Sequence, residues 1–151
     1  MRIICCGNPE RGDDGAGLLL ARRLHDLGIE AEVCTGEALE LIEMWSGDSD
    51  VMVVDAVITG APAGTVHLWN TLQALPYSHV LTSCHGFGIA EAIELARVIG
   101  NLPGRIRVCG IEGRQFDRGV RISPEVERAV ENVAKEISAE ARLSRQPYSR
   151  G

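Results

Sequence analysis

No stretch of the 151-residue sequence approaches the roughly 20 consecutive apolar residues that a membrane-spanning helix needs. The start of the chain is equally short of an export signal. Met1-Arg2 leads into Ile3-Ile4 and then at once into polar Gly7-Asn8-Pro9-Glu10, so the apolar run is too brief. No run of Lys and Arg is concentrated anywhere, and the formal net charge is -6. That speaks against a nucleic-acid partner, because phosphate binding needs a basic footprint. The nearest thing to a basic stretch is Arg142, Arg145 and Arg150, near Pro147 in a polar tail expected to fray. Five cysteines (Cys5, Cys6, Cys34, Cys84, Cys109) include no C-x-x-C pair and are odd in number. They read as reduced thiols, several of them core residues, and the expected compartment is the cytoplasm.

What is present is an ordinary globular composition, 45% apolar and 24% charged, long enough for one domain around one sizeable core. The expected domain is 1–141, with 142–151 as a flexible polar tail. Arg2–Cys6 is a continuous apolar run that fits a buried strand. A glycine-rich turn follows, and then a helix from Asp13 with Asp13 or Asp14 as its cap and Gly28 as its stop. Further strands are expected at 30–34, 51–55 (ending in Asp55), 65–69 and 105–111. Helices are expected at 37–45 and 89–99 and from Ser123-Pro124-Glu125, with Ser as cap and Pro in the first helical position. Strands alternating with helices imply an α/β fold with a mainly parallel sheet covered on both faces. The hairpin-like spacing around Gly60 and Gly64 implies one antiparallel strand.

Ligands of open α/β sheets collect beyond the carboxyl ends of the strands. Three polar stretches are placed to meet there: Asp13-Asp14, Asp55, and the loop bearing His85. Two carboxylates and one imidazole would make a partial shell for a first-row divalent metal, nickel or zinc, with positions open for water or substrate. Each residue also has a plainer explanation. Asp13 and Asp14 suit a helix N-terminus, Asp55 can bond nearby amides, and His85 can be an exposed loop histidine behind a capping Ser83. Only their combination points to a site. A phosphate cradle at residues 7–12 lacks the Lys-Ser/Thr end of a P-loop and would set acids against an anion. Cys84 beside His85 is a poor catalytic pair, since loop neighbours seldom point at one another. Cys5 and Cys6 lie on opposite faces of a strand, so at most one could face a site. His25, His67 and His79 read as surface residues.

The string Gly7-Asn8-Pro9-Glu10-Arg11-Gly12-Asp13-Asp14-Gly15-Ala16-Gly17 resembles the N-terminal signature of the hydrogenase maturation proteases. Val53-Val54-Asp55-Ala56 and Ser83-Cys84-His85-Gly86-Phe87-Gly88 match further motifs of that family in order and spacing. Gly110-Ile111-Glu112 and the helix start at Ser123 are similar as well, so the likeness runs to about Ala141. It implies a three-layer αβα fold with a five-stranded mixed sheet, one strand antiparallel. It also implies that Asp14, Asp55 and His85 are the nickel-contacting, catalytic set, with Asp13 a structural neighbour. Glu10, where relatives often carry an apolar residue, and the paired thiols Cys5-Cys6 depart from the pattern.

The activity implied by the resemblance is removal of the C-terminal extension of a nickel-loaded hydrogenase large-subunit precursor, the nickel being supplied by that substrate. The sequence offers no Ser-His-Asp order and no His-Glu-x-x-His helix. A shell of two carboxylates and one histidine should hold metal weakly alone, yet could complete the coordination of nickel already on substrate thiolates. Two rivals stand beside this reading: a non-catalytic nickel-sensing docking or chaperone module, and a self-contained metallopeptidase. A monomer meeting a large partner is the simplest expected state.

Overall fold

The computed structural model describes residues 1–70 and 88–145. Its centre is a five-stranded sheet in the order β2-β1-β3-β5-β4, formed by β1 (Arg2–Cys6), β2 (Glu32–Cys34), β3 (Asp50–Val57), β4 (Val66–Asn70) and β5 (Arg105–Glu112). Every pairing is parallel except β4 with β5. The expected mixed sheet with one antiparallel strand is therefore present. Its antiparallel pair is not the hairpin that the turn at Gly60–Gly64 implied, because β5 inserts between β3 and β4. A short β3–β4 connection fixes the direction of β4 but leaves its neighbour open.

Among the described residues four helices cover the two faces: α1 (Ala16–Asp26), α2 (Ala38–Trp45), α3 (Gly88–Ile99) and α4 (Pro124–Arg145). The three inner strands, β1, β3 and β5, read as apolar runs because both of their faces are buried, whereas the edge strands β2 and β4 keep exposed residues such as Val33 and Leu68. Alternation divides their side chains between two cores. Ile3, Cys5, Met52, Val54, Cys109 and Ile111 join Leu20 and Leu24 of α1 and Val130 of α4. Ile4, Cys6, Val51, Val53 and Val108 join Leu41 and Trp45 of α2 and Ile93 of α3. Trp45 is wholly buried, and truncating such a residue to Ala typically costs about 3–5 kcal/mol. On α4 the buried positions Val126, Ala129, Val130, Val133, Ala134 and Ile137 repeat at three- and four-residue steps, one stripe of a helix whose other side is wet.

Two expected boundaries are corrected. β3 does not end in Asp55 but continues through Ala56 and Val57, which pair with Ile111 and Glu112 of β5. The first helix does not begin at Asp13: residues Gly12–Gly15 form a 3-10 turn, Gly15 stands at the helix N-cap, and neither acid caps it. Among the described residues no helix is long and apolar enough to cross a membrane.

Candidate active site

The carboxyl edge of the sheet is assembled by close backbone approach. Where β1 ends, the Gly7 amide donates to the Cys34 carbonyl at 3.2 Å, and the Asn8 amide donates to the Asp14 carbonyl at 3.1 Å. The turn carrying the acids is thus folded back onto the strand end. A Cβ on Gly7 would lie 2.1 Å from the Asp14 carbonyl oxygen, and one on Gly17 would lie 2.3 Å from the Cys6 carbonyl oxygen. Those contacts are the physical reason that glycines frame the acid pair: a side chain at either position would push Asp14 away from β1.

Asp13 points away from the site and acts as a clamp. Its carboxylate accepts the amides of Arg114 (2.7 Å), Gln115 (2.9 Å) and Ser123 (2.7 Å), and the Ser123 hydroxyl at 2.5 Å. Burial alone would raise its pKa, but the bonds from Ser123, Arg114 and Gln115 together hold it below the usual carboxylate range. It ties the turn to the loop that precedes α4. This explains why Asp13 is no helix cap, and why the Ser123 hydroxyl is directed to a carboxylate.

Asp14 and Asp55 are brought together. Both are buried, at 3% and 5% exposure. Asp55 sits in β3 opposite Gly110 of β5, with one carboxylate oxygen accepting the Ala56 amide at 2.8 Å. Burial pushes its pKa well above the ordinary value, and the charge of Asp14 pushes it further, with a smaller push from Cys34; only the Ala56 amide opposes. A buried carboxyl that resists ionisation beside a second acid suits proton transfer, or a cation whose charge displaces the proton.

Asp55 is the middle of a row that crosses the whole sheet. Cys34 pairs with Cys6, and Gly110 pairs with both Asp55 and His67. Cys6 lies one residue beyond the Cys5–Val54 pair, which sets it beside Asp55. Residues in register share a face, here the one covered by α2 and α3. The thiols of Cys6 and Cys34 are 2.8 Å apart. Either sulfur can donate in this contact, which lowers the pKa of Cys34 against the opposing effect of burial and, with burial, raises that of Cys6.

At the other end of the row stands a cluster that the sequence reading missed. Glu112, 1% exposed, accepts the Thr59 amide at 3.0 and 2.8 Å and, in a very short contact, the Thr59 hydroxyl. His67 stands 3.4 Å from Glu112 and from the Thr59 hydroxyl, and stacks on Trp69 with ring centroids 5.0 Å apart. The side chain of His67 is 22% exposed rather than a surface group. Only the pairing of β4 with β5 reveals this, and no local signal carries it.

His85, with Ser83, Cys84 and His79, lies outside the described residues. Gly88 opens α3 at this same edge: a Cβ there would stand 1.8 Å from the Gly36 carbonyl oxygen, and one on Gly36 3.7 Å from the Cys6 Cβ. Among the described residues no group of three or more His, Cys, Asp or Glu side chains stands ready to hold a metal ion.

The fold and this edge define an αβα protein with a mixed five-stranded sheet and a buried acid pair where strands meet loops. The chain belongs to the hydrogenase maturation protease family, whose profile matches residues 35–140. That match takes in Asp55 and the position of His85, while Asp14 precedes it. Protein FrxA of Pyrococcus furiosus is 25% identical over 121 residues, spanning 79% of this chain and 88% of that protein. Two solved structures share the fold. The NiFe hydrogenase maturation protease HybD from Thermococcus kodakarensis aligns with a TM-score of 0.73 at 24% identity, over 93% of this chain and 99% of that one. The hydrogenase maturating endopeptidase HybD from E. coli aligns with a TM-score of 0.73 at 20% identity, over 96% and 94%.

Proposed function

We propose that this chain is the endopeptidase that removes the C-terminal extension of a nickel-loaded NiFe hydrogenase large-subunit precursor, with Asp14, Asp55 and His85 contacting the substrate's nickel. The observation that carries the reading is the pair of buried carboxyls, Asp14 and Asp55, at the carboxyl edge of the sheet in a member of this family. In the free protein Asp55 resists ionisation. A dication arriving with the substrate offsets the repulsion between the two acids, so Asp55 gives up its proton only when the metal is there. On this account nickel is at once the recognition element and the trigger that readies the acid pair. A carboxylate freed in this way is within its chemistry as general base toward the attacking water. His85 supplies the imidazole ligand. Gly88, three residues further on, begins α3 at this edge.

The test is to incubate the purified protein with nickel-loaded precursor and weigh the precursor before and after. Loss of a C-terminal peptide supports the proposal. Stable complex formation with no change in mass would instead identify a docking module, and cleavage of unrelated peptides by the protein with its own tightly held metal would identify a self-contained metallopeptidase.

A further inference from the structure

The Cys6–Cys34 end of the row lies beside Asp55 and holds none of the residues assigned above to nickel contact. We propose that these two thiols are an oxidisable dithiol, a modification site at which a hydroperoxide converts them to a reversible disulfide. Three features of the structure argue for it. The sulfurs are 2.8 Å apart. The residues are direct register partners on adjacent strands, so their Cα atoms stand about 4.8 Å apart, inside the roughly 4.4–6.8 Å range of disulfides. The remaining described thiols, Cys5 and Cys109, belong to the core on the opposite face of the sheet, so the sheet itself separates them from this pair.

Exposure assigns the roles. Cys34 is 6% exposed and Cys6 is fully buried, so the oxidant meets Cys34. The Cys34 sulfur attacks one peroxide oxygen; the S–O bond forms, the O–O bond breaks, and the departing oxygen leaves as water or alcohol after taking a proton. Cys34 is then a sulfenic acid. The Cys6 sulfur attacks it, the S–S bond forms, the S–O bond breaks, and hydroxide leaves as water with the proton of Cys6. With hydrogen peroxide, two thiols and one peroxide give one disulfide and two waters. The thiols are oxidised and the peroxide is reduced.

The experiment treats the reduced full-length protein with hydrogen peroxide, quenches, denatures and alkylates it, and reads the intact mass. The expected result is two fewer alkyl groups than in the untreated protein, restored by dithiothreitol. Cleavage after glutamate should yield a cross-linked pair joining the peptide of Cys5-Cys6 to that of Cys34. Cys6→Ser and Cys34→Ser should each abolish the two-thiol loss, while Cys5→Ser, Cys84→Ser and Cys109→Ser keep it. Should Cys6→Ser fold poorly by circular dichroism, Cys6→Ala replaces it, and the peptide map of the unsubstituted protein decides independently. Retention of all five thiols, a bond to Cys84, Cys5 or Cys109, or a Cys34 sulfenic acid that never closes onto Cys6 would overturn the proposal. None of these readouts depends on the processing activity.

Discussion

Asp14 and Asp55 are coupled at the carboxyl edge of the sheet: burial pushes the Asp55 pKa well above the ordinary carboxylate range, and the charge of Asp14 pushes it further. One acid of the pair therefore reinforces what burial does to the other, although 41 positions separate them in the numbering.

A pH dependence of stability follows. The folded pKa of Asp55 lies above the unfolded value of about 4, so the folded chain keeps a proton that the unfolded chain has released. The stability this confers is fully present below pH ~4 and is lost as pH rises through the folded pKa. Asp55→Asn removes the cost of a buried charge. The variant is expected to melt higher than the unsubstituted protein at pH 8, with the difference shrinking toward zero near pH 4. Thermal melts of both across that range check it.

Asp13 carries the opposite sign. Its folded pKa is lowered, so its contribution is present above pH ~4 and is lost as pH falls through the folded value. Asp13→Ala leaves the buried amide of Ser123 and the part-buried amides of Arg114 and Gln115 without their acceptor. An unsatisfied buried donor costs about 1–3 kcal/mol and water compensates the part-buried ones, so a loss of about 2–3 kcal/mol at pH 7 is expected in urea unfolding, with a smaller loss at pH 3.

Gly17→Ala should reverse a common rule. Replacing a helical glycine by alanine ordinarily stabilises by up to about 1 kcal/mol. Here the new Cβ would meet the Cys6 carbonyl at 2.3 Å, so a net loss of about 2 kcal/mol or more is expected. Denaturant midpoints of the two proteins decide the sign.

How much of this was legible in the sequence depends on range. Arg2–Cys6, Arg105–Glu112, Gly88–Ile99 and the start of α4 were readable to within a residue or so, because apolar runs and three- and four-residue steps are local signals. The grouping of Asp14 with Asp55 was readable from the rule that strand ends in such sheets converge. Long-range pairing was not. The partner of β4 lies some 40 residues further on, so the burial of His67 against Glu112 could not be seen. The donors that claim Asp13 come from beyond residue 113, so a clamp looked like a cap. The meeting of Cys6 with Cys34 depends on the β1–β2 register, which a crossover helix sets.

The most direct test of the acid pair's role is a processing assay with two substrates, nickel-loaded and nickel-free precursor, and three enzymes: unsubstituted, Asp14→Asn and Asp55→Asn, each checked for folding by circular dichroism. Intact mass of the precursor over time is the readout. The expected result is removal of the extension by the unsubstituted protein from the nickel-loaded precursor alone, and a rate at least about 100-fold lower, roughly 2.7 kcal/mol in barrier, for either variant. Normal rates from folded Asp14→Asn and Asp55→Asn, or equal cleavage of nickel-free precursor, would contradict it.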